Sequence, residues 1–119
     1  MLRPLDRPAP ADASEAAARD LLLGHKRELE AAIAANVAHR GDHVSSLILA
    51  RLTARMRKFL AAVNRDLSRP VIEGPYGTAG FWGENGKAPE IGALIRESRR
   101  QREPFVEPVA EGFVVGEAA

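Results

Sequence analysis

The sequence predicts an all-α protein: a two-helix antiparallel hairpin, a short third helix, and an extended Gly/Pro-rich connector and tail. Three observations carry that expectation. Two long stretches, 16–38 and 44–67, contain no proline and place large apolar residues at steps of three, four and seven, the period of a helix face. A single Gly41-Asp42 break separates them, too short for anything but a tight reversal. The third is composition: 45% hydrophobic, much of it alanine, with six aromatic side chains in 119 residues.

Residues 1–12 read as a flexible, extended arm, because Pro4, Pro8 and Pro10 alternate with charges. The hairpin occupies 13–69. Ser14 or Asp12 is the expected N-cap of its first helix, and Leu22, Leu29, Ile33 and Val37 form the expected apolar face. Ala18, Ala32 and Asn36 lie beside that face. Gly24 costs roughly 1 kcal/mol against alanine there, which the surrounding pattern absorbs. Gly41 ends the helix and Asp42 caps the next, whose stripe is Leu49, Leu52, Met56, Phe59 and Val63, ended by Pro70.

Residues 70–89 form a Gly-rich aromatic connector. Gly74, Gly77, Gly80, Gly83 and Gly86 fall at every third position. In a polyproline-II strand that spacing would align them on one bare edge; in an ordinary loop it is accidental. Tyr76, Phe81 and Trp82 lie in the same stretch and either fold back over the helices or anchor a partner. Either way, Trp82 is expected to be buried. Residues 90–103 form the short helix, with Pro89 in its first turn, Ile91, Leu94 and Ile95 on its apolar side and Pro104 closing it. Residues 104–119 form an extended tail expected to become ordered on a neighbour, and Pro108 confines any strand there to an edge.

Several chemistries lack a footing. Gly86-Lys87 is no phosphate loop, since Phe81 replaces the first glycine and Ala88 the Ser or Thr. His39, Asp42 and His43 are the one group with metal-ligand chemistry, but Gly41 interrupts their spacing and solvated turn histidines are the better reading. Arg40-Gly41-Asp42 is a chance adhesion tripeptide. The chain has no cysteine, so thiol chemistry and disulfides are excluded. No catalytic arrangement, cofactor fingerprint or metal set is present, and neither an enzyme nor a small-molecule substrate is expected. Without a signal peptide or an apolar run of membrane length, the expected location is cytoplasmic and no membrane partner is expected.

Charge is distributed unevenly. The net formal charge is +1, yet residues 43–69 hold six basic side chains and one acid, and residues 70–119 hold five and eight. Arg51, Arg55, Lys58, Arg65 and Arg69 follow near-helical steps, with Arg57 on a flank. Such a stripe tracks phosphates, or is solvated, or pairs with acids such as Glu28 and Glu30.

An alanine-rich core of this size usually needs self-association or a partner. The functional expectation is therefore a non-catalytic assembly or adaptor subunit, forming a helical bundle with itself or with a protein partner. Its expected interface is Leu49, Leu52, Met56, Phe59, Val63, Tyr76, Phe81 and Trp82. The alternatives are a nucleic-acid-binding protein using Arg51, Arg55, Lys58, Arg65 and Arg69, or a small helical chaperone that shields a partner helix.

Overall fold

A computed structural model describes residues 8–103, with side chains from Ser14 onward. Four helices follow in order: α1 (Pro8–Ala38), α2 (His43–Leu67), α3 (Thr78–Trp82) and α4 (Ala88–Arg102). The protein is all-helical over these residues. The first seven residues of the expected arm and the whole expected tail lie outside the described residues.

The helix boundaries follow local chemistry. Helix α1 starts earlier than expected, because residues 8–12, read from sequence as arm, are helical. Pro8 and Pro10 fall in the first turn, where a missing N–H has no intrahelical partner to lose, so neither breaks the helix. At its other end, the Arg40 guanidinium donates to the carbonyls of Val37, Ala38 and His39 at 3.1–3.2 Å. These are the acceptors a helix C-terminus leaves unsatisfied. Asp42 then caps α2, accepting the Ser45 backbone N–H at 2.7 Å. That hydrogen bond holds its carboxyl below the usual carboxylate range. The Arg-Gly-Asp tripeptide is thus a helix stop followed by a helix start. Helix α4 carries Pro89 in its first turn and leaves at Glu103 with extended geometry (φ −68°, ψ 138°), as a residue before proline prefers.

Two cross-helix hydrogen bonds fix the direction of the hairpin. Lys26 donates to Asn64 at 2.9 Å and Asn36 to Thr53 at 3.1 Å, so residue numbers rise on one helix as they fall on the other. Extending that register past Leu67 leaves α1 without a partner from about residue 22 towards its N-terminus. Ala18 and Leu22 would be bare there, yet both are fully buried. The connector covers them. Ile72 and Trp82 enter the same apolar cluster, and Ala79 packs against it. A Cβ on Gly74 would come within 2.9 Å of the Ser14 carbonyl oxygen, so only glycine lets the connector approach α1 this closely.

The α1 face differs from the one expected. Its buried residues are Ala18, Leu22, His25, Leu29, Ala32 and Asn36, a run of four- and three-residue steps. Ile33 is half-buried and Val37 is 57% exposed. The face is turned toward Asn36 because its amide has partners inside. Asn36 Nδ2 donates to Thr53 Oγ1 at 3.1 Å and to Ser98 Oγ at 3.0 Å, and Asn36 Oδ1 accepts from Arg102. This buried polar junction joins α1, α2 and α4, and a satisfied junction of this kind constrains the register of the helices it links. On α2, Thr53 accordingly joins Leu49, Met56 and Val63 in the buried set, while Leu52 and Phe59 are half-buried.

Candidate functional site

The connector is an ordered structure with a helix of its own, neither a polyproline strand nor a featureless loop. Residues 78–82 are helical, which places Gly80 inside a turn, off any common edge with the other glycines. The Lys87 backbone N–H donates to the Phe81 carbonyl at 2.9 Å, folding the chain over itself. A Cβ on Gly86 would collide with that same carbonyl oxygen, so the tight return needs glycine at this position.

That fold sorts the three connector aromatics. Trp82 is 1% exposed and is tied to both hairpin helices. Its Nε1–H donates to Asp66 Oδ2 at 2.8 Å, and its carbonyl accepts from His25 Nε2 at 2.8 Å. A carbonyl only accepts, so Nε2 of His25 carries the hydrogen. Phe59 and Phe81 meet the indole edge-on, with centroids 6.3 and 5.0 Å away. Phe81, the residue before it, is 52% exposed, and Tyr76 is 98% exposed.

The expected interface residues consequently divide. Leu49, Met56, Val63 and Trp82 lie in the chain's own core, and of these only Trp82 borders the aromatic pocket. Leu52 and Phe59 are half-buried. Phe59, Ala62, Phe81 and Trp82 line a surface pocket of about 360 Å³, with Arg55, Lys58 and Glu90 around it. The Phe81 ring at this pocket is held on two sides, by the Trp82 indole and by the Lys87 amine 5.9 Å from its centroid. Sequence reasoning named Phe81 and Phe59, and Arg55 and Lys58 as members of the basic stripe, but missed Glu90, because Arg55 and Glu90 meet only through the packing of α2 on α4. Their ion pair is 3.1 Å long. Further exposed apolar side chains, Val37, Val44 and Leu47, cluster around the hairpin turn.

The basic stripe lies on the outer face of α2. At about 100° per residue, Arg51, Arg55, Lys58 and Arg65 fall within roughly 80° of one another, away from the buried side. The stripe draws little on neighbouring acids. Arg55 pairs with Glu90 and Arg69 with Asp66, whereas Arg51, Arg57, Lys58 and Arg65 make no ion pair among the described residues. Glu30 pairs with Lys26 at 3.4 Å within α1.

At the turn, Asp42 is engaged as a cap and His39 lies over Gly41. Among the described residues, no cluster of three or more His, Asp or Glu side chains is placed to hold a metal, and no helix is long and apolar enough to cross a membrane. No family model, curated protein or solved structure matches the chain.

Proposed function

We propose that this protein is a non-catalytic assembly subunit that associates through the aromatic pocket between α2 and the connector. Phe81 carries the reading. A large apolar ring half exposed to water is ordinarily mobile or turned inward. Here it is fixed in place beside an apolar floor, which lowers the ordering cost of using it as an anchor. Arg55, Lys58 and Glu90 supply the polar surround found around such anchors. A second copy of the chain, or a partner helix with an apolar face, fits this surface.

Light scattering tests the proposal. The wild-type chain is expected to exceed its 12.9 kDa monomer mass as concentration rises. Phe81→Glu is expected to return it to the monomer with an unchanged circular dichroism spectrum, because Phe81 contributes little to the core. A wild-type mass that stays monomeric at every concentration overturns self-assembly. Association that persists in Phe81→Glu removes the pocket from it.

Nucleic-acid binding is the second reading, favoured by the cations of α2 that pair with no described acid. It predicts binding at about 0.15 M salt that weakens steeply as salt increases. Replacing Arg51, Lys58 and Arg65 together by glutamine keeps helix propensity similar. In that variant, the slope of log affinity against log salt is expected to flatten by up to about 3, one contact each. A wild-type chain that binds neither duplex nor single strands sinks this reading.

A further inference from the structure

A second cleft, of about 390 Å³, runs between α1 and α4. Arg96, Arg99 and Arg102 recur at every third position of α4 and line it, together with Ala32, Ile95 and, from α1, Glu28. Arg102 donates to Asn36, while Arg96 and Arg99 pair with no acid among the described residues. Arg100, on another side of α4, is the arginine engaged by Glu97. Gly92, also on the lining, has no side chain to narrow the cleft.

We propose that this groove is the docking site of the chain's own acidic segment, residues 104–117, which folds back onto α4 in cis. The complementarity is one of charge and of apolar area. Residues 104–117 contain Glu107, Glu111 and Glu117 and no basic residue, together with Phe105, Val106, Val109, Phe113, Val114 and Val115. The carboxylates answer the unpaired guanidiniums, for which bidentate pairing is the preferred geometry. The valines cover Ala32 and Ile95.

Reach favours the same groove. It starts at the last turn of α4, next to the point where the segment begins, and Glu103 already turns the chain off the helix axis. From Arg102 back to Gly92 is about 15 Å of helix, a distance that about five extended residues cover. The stretch 106–111 is therefore long enough to span the groove, which puts Glu107 and Glu111 within reach of the arginine row. A tether this short keeps the segment at an effective concentration in the millimolar range, which favours the cis arrangement over exchange between copies. The inference stands apart from the aromatic pocket and does not rest on it.

The test uses the full chain. Because the sequence has no cysteine, Ala110→Cys, at a residue given no contact in the groove, provides a unique site for a nitroxide spin label. In a uniformly 15N-labelled sample, the amide signals of Ala31, Ala32, Gly92 and Ile95 are expected to lose intensity relative to the reduced label, and that of Gly74, packed on the far end of α1, to keep it. Arg96→Glu with Arg99→Glu is expected to restore the lost signals. Adding Glu107→Arg and Glu111→Arg to that variant is expected to bring the loss back, which a merely structural role for the arginines would not do. Full intensity throughout overturns the proposal, as does a loss that ignores the arginine changes. A loss seen when the spin label and the 15N are on different chains overturns the cis arrangement.

Discussion

Trp82→Ala is expected to destabilise the protein by about 3–5 kcal/mol, the range for deleting a large buried aromatic. The total stability of a domain is only about 5–15 kcal/mol, so this change brings the fold close to its limit. Three losses coincide at Trp82. The indole leaves a cavity against Ala18 and Leu22, which α2 is too short to refill. Asp66 loses the Nε1–H donor. Phe59 and Phe81 lose the edge they pack on. The backbone carbonyl that accepts from His25 remains, so the connector is expected to loosen rather than detach. Thermal melting followed by circular dichroism reads the effect. A midpoint equal to that of the wild type would show that the connector contributes nothing to covering the exposed end of α1.

Met56→Ala is the second large effect, with an expected loss of about 2–5 kcal/mol. Met56 is fully buried in the centre of α2, on the side that meets the rest of the core. Phe59, one turn further on, is half-buried and opens onto the surface pocket, so Phe59→Ala is expected to cost less. The contrast is itself a test, because both residues belong to one stripe by sequence spacing alone. Denaturant titration of the two variants measures it. A larger loss for Phe59→Ala would mean that α2 is rotated so that Phe59, and not Met56, faces the core.

Most of the helical architecture was legible in the residues themselves. The three- and four-residue steps of Leu49, Leu52, Met56, Phe59 and Val63 define a helix wherever the chain is placed, because that period belongs to the backbone. Gly41, Asp42, Pro89 and Pro104 punctuate it through local chemistry, and α2 and α4 begin and end within two residues of where those signals put them. The choice of face was not local. A periodic pattern leaves the inward direction of a helix uncertain by a fraction of a turn. On α1, the decision between Asn36 and Val37 rests on hydroxyls at Thr53 and Ser98, 17 and 62 residues away.

The connector shows the same division more sharply. Its aromatics and glycines were conspicuous in the sequence, and Trp82 was expected to be buried, but nothing local said whether it folds back over its own helices or onto a partner. Tertiary structure decides it, because α1 outruns α2 and leaves Ala18 and Leu22 to be covered, and because His25 and Asp66 wait there with hydrogen-bond partners for the Trp82 carbonyl and indole. Phenylalanine has no polar group for Asp66 to hold, so it is the indole that is drawn inside and the Phe81 ring that is left beside the pocket.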